Sequence, residues 1–266
     1  MAEPGKAEPK PPKQINTTQA KILMKAGVAQ PGRASVKTRA RSLTALHNFL
    51  LTQQFMEFYG IMVGDETLYH KHNCKYFFTI SEGYKDYAQH IAGLVYLLIG
   101  RYPRIKYRSK AFRIEFKSKR LFNAFINLGF PLGKKSSNIS IPTIILSHDN
   151  VNWLIRGIFD TDGSIFFSKK PGIVNYPTVE ITSKSFTLLK QIKNALREKY
   201  GILTHIRRSK GVHKLAVYGS KEISKWVKFI GSSHKIKSRL LARVFGEAED
   251  RIVEGSSPSP GTKIIK

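Results

Sequence analysis

The chain has 266 residues, of which 45 are Lys or Arg and 18 are Asp or Glu, so it carries a formal net charge of +27. Such an excess of positive charge predicts a polyanionic partner and favours nucleic acid over an anionic membrane surface. No apolar run approaches the length of a membrane span, and nothing in the sequence predicts export, so we expect an intracellular protein. The one cysteine, Cys74, excludes an internal disulfide and a cysteine-rich zinc site.

The two ends of the chain differ in composition from its middle. Residues 1–42 are rich in Pro, Lys and Ala and lack apolar periodicity, which predicts a disordered basic tail. Residues 250–266 are rich in Ser, Pro and Gly, which predicts a flexible tail. Between them we expect two folded units, at residues 43–147 and 148–249.

The first unit is predicted to open with a helix that ends at Asp65. Gly60 and Gly64 are four residues apart and therefore share one face of this helix. A face of small residues lets another helix approach closely. The periodicity then predicts a hairpin, a helix, a second hairpin and a third helix, at residues 67–71 and 75–80, 86–99, 104–107 and 112–116, and 119–128.

The periodicity of the second unit predicts the same order of elements. Its first helix, residues 152–162, ends in two carboxylates and is followed by Gly163. Asp162 lies where the unpaired carbonyl groups of a helix end carry partial negative charge, so its position is unfavourable unless a cation binds there. A plain helix end capped by Gly163 is the alternative. The later elements are predicted at residues 164–168 and 178–182, 186–200, 203–208 and 214–218, 221–230 and 235–245.

An internal duplication relates the two units. Gly60, Gly64 and Asp65 each have a counterpart 97 residues later, at Gly157, Thr161 and Asp162. Later matches have slightly larger offsets, as loop insertions would produce: Ser118-Lys119 matches Ser220-Lys221, and Lys135-Ser136 matches Lys237-Ser238.

These paired helices resemble the motifs of the LAGLIDADG homing endonucleases in their single-chain, two-repeat form, over roughly residues 44–247. The first motif departs from the family pattern, because Glu66 replaces the usual Gly and Val63 replaces the earlier acidic residue. The resemblance implies an α+β fold of two tandem αββαββα repeats with pseudo-two-fold symmetry. Each repeat would carry a curved four-stranded antiparallel sheet, and the two sheets would form a DNA-binding saddle.

The same resemblance implies a monomeric, intron-encoded endonuclease. Such an enzyme makes a site-specific, metal-dependent, staggered double-strand break in a long asymmetric DNA target. Two alternatives keep the same fold: an RNA maturase that assists the splicing of its own intron RNA, and a DNA-binding regulator without catalysis. Two carboxylates that face phosphate favour the nuclease, because a protein that only binds DNA does not need them.

The resemblance also assigns the active site. Asp65 and Asp162 would bind the metal and act in catalysis, with the carbonyl groups of Gly64 and Thr161 as further ligands. Hard oxygen ligands select Mg²⁺, with Mn²⁺ as a substitute, and we expect Ca²⁺ to support binding without cleavage. One basic residue per repeat would stand beside the site, and the duplication assigns this role to Lys119 and Lys221. The helices would touch through Gly60, Gly64, Gly157 and Thr161.

Strand alternation predicts which residues face DNA, because successive side chains point to opposite faces of a sheet. In the major groove Arg and Lys suit guanine, and Glu accepts from cytosine. The candidates are polar residues on the strands and their turns: Lys71, Lys75, Arg104, Lys106, Arg108, Arg113, Glu115, Lys117, Lys169, Thr178, Glu180, Arg207, Arg208, Lys210 and Lys214.

Overall fold

The computed structural model describes residues 49, 52–64, 67–71, 74–131, 139–171 and 173–254. The predicted N-terminal tail and Asp65 lie outside these residues. The first repeat runs α1 (Gln53–Val63), β1 (Thr67–Lys71), β2 (Cys74–Glu82), α2 (Lys85–Ile99), β3 (Arg104–Arg108), β4 (Ala111–Lys117) and α3 (Lys119–Asn127).

A short helix, α4 (Thr143–Leu146), lies in the connection to the second repeat. That repeat runs α5 (Val151–Asp162), β5 (Gly163–Lys170), β6 (Ile173–Ser183), α6 (Phe186–Tyr200), β7 (His205–Ser209), β8 (Val212–Tyr218), α7 (Gly219–Phe229) and α8 (Lys235–Glu254). The predicted αββαββα order is therefore confirmed. One detail differs from the prediction: α8 continues into the predicted C-terminal tail.

Each repeat contains a four-stranded antiparallel sheet, as predicted, with the strand orders β1-β2-β4-β3 and β5-β6-β8-β7. The registers of the two sheets correspond. Ile114 pairs with Ile80 and Ile105, and Leu215 pairs with Ile181 and Ile206. These apolar residues mark the face of each sheet that packs on the helices.

The core of the first repeat is rich in aromatic side chains. Phe78 and Phe116 stack between neighbouring strands with their ring centroids 4.7 Å apart, and Phe58 of α1 lies 6.1 Å from Phe116. In the second repeat Phe159 of α5 packs edge-on against Trp226 of α7 at 5.1 Å. All five side chains are buried. The motif helix is thus packed on its own sheet in the first repeat and on α7 in the second.

Among the residues that the structure describes, no helix is both long and apolar enough to span a membrane.

Candidate active site and nucleic-acid interface

Helices α1 and α5 cross at very short range through their glycines. A methyl group added at Gly157 would lie 2.8 Å from the amide nitrogen of Ile61 and would overlap the carbonyl oxygen of Glu57. A methyl group at Gly60 would overlap the carbonyl oxygen of Leu154. Only glycine permits this backbone-to-backbone approach, as the sequence predicted for a small-residue face.

The crossing continues to the ends of the two helices. A methyl group at Gly64 would overlap the side chain of Thr161. The hydroxyl group of Thr161 donates to the carbonyl groups of Gly157 and Ile158, at 3.2 and 3.0 Å. The structure therefore brings together all four residues predicted for the interface, and the ends of both motif helices lie side by side.

Gly163 places Asp162 at the junction of helix and strand. Its backbone is extended, with φ −94° and ψ 156°, and its amide still donates to the carbonyl of Phe159. A methyl group at Gly163 would overlap the ring of Phe159. The chain therefore passes from α5 directly into β5, and the half-buried Asp162 is held at the helix end.

A lysine that sequence reasoning did not assign to the site lies beside Asp162. The ammonium group of Lys237, on α8, donates to the carbonyl groups of Phe159 and Asp160, both at 2.8 Å. Burial lowers the pKa of Lys237, and the carboxylates of Asp160, Glu82 and Asp162 act in the opposite direction. A cation at a helix C-terminus is favourable, because the carbonyl groups there carry partial negative charge.

The carboxylate of Asp160 binds the turn that precedes the helix of this lysine. Its buried carboxylate accepts from the hydroxyl of Ser232 and from the amide of Ser233, the latter at 2.8 Å. Burial raises the pKa of Asp160 to about 6, although these two hydrogen bonds lower it. The contact ties the turn before α8 to the end of α5. The carboxylate of Asp160 is therefore turned into the protein, and the half-buried Asp162 follows two residues later at the junction of α5 and β5.

The structure does not place Lys221 near Asp162, so the role assigned to it needs correction. Lys221 is exposed in the first turn of α7, which begins at Gly219 beside the hydroxyl group of Tyr176. Tyr176 pairs with Ser168, six residues along β5 from Asp162, a span of about 20 Å. The other end of α7 approaches α5, since Arg156 donates to the carbonyl group of Ile230 at 2.6 Å.

Lys119 is likewise far from the helix ends. It is exposed, and its ammonium group lies 5.8 Å from the ring centroid of Tyr76. Phe77, the residue after Tyr76, pairs with Tyr69 near the hairpin end of β1 and β2. The contact with Tyr76 of β2 therefore places Lys119 beside this hairpin rather than beside Gly64. The duplication contained the better signal, because it aligns Lys135 with Lys237; Lys135 is outside the described residues.

One face of the first sheet is cationic, as expected. The registers place six predicted residues on the face opposite the helices: Arg104, Lys106, Arg108, Arg113, Glu115 and Lys117. Lys106 donates to Glu115 at 3.1 Å. Lys71 and Lys75 lie on β1 and β2, but their side chains are not described.

The second sheet differs from the prediction at three positions. Thr178 and Glu180 are on the open face, which is the face of the sheet opposite the helices. Both are only 2% exposed, so neither is available to a base. Arg208 pairs with His213, two residues from Leu215, and alternation therefore puts it on the helix-side face. Lys169 is exposed on β5, and Lys210 is exposed in the turn between β7 and β8.

The carboxylate of Glu180 is covered by two cations. Arg207 donates to one oxygen at 2.7 Å and Lys214 to the other at 2.6 Å. The hydrogen bond and the charge of Glu180 raise the pKa of Arg207. Sequence reasoning also missed Lys170, whose ammonium group lies 3.7 Å from the ring centroid of Tyr176.

Comparison with known proteins agrees with this architecture. Residues 149–231 match the model of the LAGLIDADG-like domain. The homing endonuclease I-ApeI of Aeropyrum pernix is 27% identical over 191 residues, which cover 68% of this chain and 79% of the relative.

Two solved structures share the fold. I-DmoI in complex with DNA and Ca has a TM-score of 0.53 and 20% identity, with 71% of this chain and 96% of that chain covered. The homing endonuclease I-WcaI bound to its DNA recognition sequence has a TM-score of 0.52 and 15% identity, with 80% and 97% covered. The chain therefore has the fold of these homing endonucleases, and its residues 149–231 are similar to the LAGLIDADG-like domain.

Proposed function

We propose that this protein is a site-specific, metal-dependent DNA endonuclease that makes a staggered double-strand break in a long asymmetric target. One observation carries the proposal: the charges of Asp162 and Lys237 interact at the end of α5, where it crosses α1 tightly, and each of these helices belongs to a repeat whose sheet has a cationic open face. The relatives named as homing endonucleases support the same reaction.

The residues at the helix ends fit a hard divalent cation. Asp162 supplies a carboxylate at the end of α5, within reach of the charge of Lys237. The hydroxyl group of Thr161 is turned back into its own helix, so its backbone carbonyl is the candidate ligand, together with that of Gly64. Oxygen donors of this kind select Mg²⁺, and Asp65 is the proposed second carboxylate. Such a cation supplies activation of water and stabilisation of the leaving 3′ oxygen.

Lys237 takes the role first assigned to Lys221. Its ammonium group is fixed by two carbonyl groups and is close enough to Asp162 for their charges to interact. A cation held in advance stabilises negative charge that develops on a phosphate, because the protein does not reorganise during the reaction. Asp160 acts through Lys237 and is a positioning residue.

The two open faces set the size of the target. A strand of about seven residues spans roughly 23 Å, comparable with about seven base pairs. Two sheets would therefore cover about fourteen base pairs or more. The repeats differ in sequence, so the target is asymmetric and one chain suffices to read it. An origin in an intron and a contact with the intron RNA remain part of this proposal.

Selection from a library of random DNA duplexes tests the proposal, because it does not require a known target. We expect the purified chain to cut a subset of duplexes in Mg²⁺, to cut none in EDTA and to retain binding in Ca²⁺. Asp162→Asn should bind and fold like the parent but lose cleavage. Glu198→Gln is the control. It also removes one negative charge, at an exposed position on α6, and it should cut normally.

Two outcomes contradict the nuclease. Sequence-specific binding without any cut in Mg²⁺ indicates the DNA-binding regulator. Tight binding to structured RNA, with no duplex selected, indicates the maturase.

A further inference from the structure

Glu180 occupies an unusual position on the open face of the second sheet. It lies in the middle of β6 between Ser164 of β5 and Ala216 of β8, both of which are small. A carboxylate with such small neighbours is ordinarily open to solvent, yet Glu180 is only 2% exposed. Arg207 and Lys214, which reach it from β7 and β8, account for its burial.

Both oxygens of this carboxylate are occupied. Oε2 accepts from a terminal nitrogen of Arg207 at 2.7 Å, and Oε1 accepts from Lys214 at 2.6 Å. Charge-assisted bonds of this length are strong and directional. A buried carboxylate that keeps both partners fixes their positions, because losing either partner would leave charge unpaired in a poorly hydrated site.

Arg207 remains accessible although it is fixed. Its side chain is 51% exposed, compared with 2% for Glu180. The guanidinium group is a planar fork with five donors, so one bond to Glu180 leaves further donors that can point away from the sheet. Arginine binds the O6 and N7 atoms of guanine through two such donors in the major groove.

Among the side chains of the first sheet that the structure describes, this arrangement is absent. Thr79 of β2 stands at the register position of Glu180, since each is the residue before the buried Ile80 or Ile181. The ion pair on the open face of the first sheet joins Lys106 to Glu115. It is longer, at 3.1 Å, it has a single cation, and Glu115 is 19% exposed. The two sheets therefore present different cations with different freedom.

We propose that Glu180 is a positioning residue that holds the guanidinium of Arg207 for recognition of one guanine in the half of the target that faces the second sheet. This inference rests on the proposed function. Glu180 itself contacts no base, because both of its oxygens are occupied. Glu180 holds Arg207 in place before DNA binds, so Arg207 loses less conformational entropy on binding. The guanine contact is therefore stronger and more selective.

The experiment is a position-resolved base preference, measured by selecting duplexes that bind in Ca²⁺. The parent should prefer guanine at one position by about five- to a hundredfold, the range of one bidentate contact. Glu180→Gln keeps the shape but removes the charge, and it should reduce this preference to about twofold while other positions keep theirs. Glu115→Gln, the matched change in the first sheet, should leave that position unchanged.

A second variant keeps the test decisive if Glu180→Gln folds poorly in a thermal melt. Arg207→Lys retains the positive charge but lacks the fork, and it should lose the same guanine preference. The double variant should lose no more than Arg207→Lys alone, because residues acting through one contact are not additive.

The outcomes separate this inference from the function on which it rests. If the parent selects no duplex sequence, both proposals are wrong. If the parent has a guanine preference that Glu180→Gln preserves, or if that variant weakens all positions equally, Glu180 does not position Arg207 and the nuclease proposal stands.

Discussion

The α-carbon of Gly157 lies against the backbone carbonyl group of Glu57, at a distance that leaves no room for a methyl group. The contact joins the motif helices of the two repeats, and the obstacle is backbone rather than a flexible side chain. Any larger residue must therefore move one helix, and with it the carboxylate at the helix end.

Gly157→Ala should for this reason impair cleavage more than stability. Overpacking costs about 1–3 kcal/mol, and the better helix propensity of Ala returns at most about 1 kcal/mol. A shift of about 1 Å at the reacting groups should lower the cleavage rate on the order of a hundredfold. The measurements are single-turnover cleavage and a denaturant titration.

Gly93→Ala is the matched control. Gly93 lies within α2, and nothing stands within 4 Å of an added methyl group. The substitution should stabilise the protein by about 0.5–1 kcal/mol and leave cleavage unchanged. Equal cleavage by Gly157→Ala and Gly93→Ala would remove the helix crossing from the mechanism.

Lys237 and Lys221 give a second matched pair. Lys237→Met should lower the cleavage rate by about 10²- to 10³-fold, the effect of removing one group that stabilises developing charge. It should also reduce stability, because two carbonyl groups at the end of α5 lose their donor. Lys221→Met, in the exposed first turn of α7, should cut at the parent's rate. Cleavage rates at saturating DNA, with melting temperatures as the control, distinguish the two. The reverse order of effects would restore the original assignment of Lys221.

The contrast between the helix crossing and the lysines shows what the sequence could predict. The places of Gly60 and Gly157 were predicted correctly because each is four residues before another small residue, and this spacing is a local property of a helix. The six cationic-face residues of the first sheet followed from alternation, which is also local. Lys237 could not be found in this way, because its place depends on the bond between Ser232 and Asp160, which joins a turn to a distant helix.

Glu180 and Thr178 were misjudged for a related reason. Alternation correctly predicted their face but not their burial, which for Glu180 involves cations from two other strands. Arg208 was misjudged by one residue of register, and a shift of one residue reverses the face of a strand.

The salt dependence of binding tests whether the cationic faces bind duplex DNA. If the two sheets neutralise about ten phosphates, log affinity should fall against log salt with a slope of roughly −9. Fluorescence anisotropy with a selected duplex, over a series of KCl concentrations in Ca²⁺, gives the slope. A slope shallower than about −3 would show that the positive charge serves another partner.

The last prediction concerns acid and the seam between the repeats. His234, at the start of α8, packs against Tyr84 and Tyr87 of the first repeat, with both ring centroids 4.9 Å away. Its Nδ1 accepts from the amide of Ile236 at 3.3 Å, so that nitrogen carries no proton. Burial lowers the pKa of His234, and the charge of Lys237 lowers it further.

The sign of the effect follows from linkage. Because the folded-state pKa is below the unfolded value of about 6.5, the unfolded chain binds more protons as the pH falls below 6.5, and the protein loses stability there. The loss stops below the folded-state pKa. Asp160 acts in the opposite direction, since its raised pKa, about 6, favours the folded state as the pH falls from 6 towards 4. A variant at His234 that keeps Asp160 isolates the histidine.

His234→Asn is the suitable substitution, because an amide oxygen can replace Nδ1 as the acceptor for Ile236 and does not titrate. The free energy of unfolding should fall from pH 7.5 to 5.5 more steeply in the parent than in His234→Asn. Urea titrations at several pH values, with the same pair of proteins at each, give the difference. Parallel curves would show that His234 does not report on protonation at this seam, and a steeper fall in the variant would reverse the sign of its pKa shift.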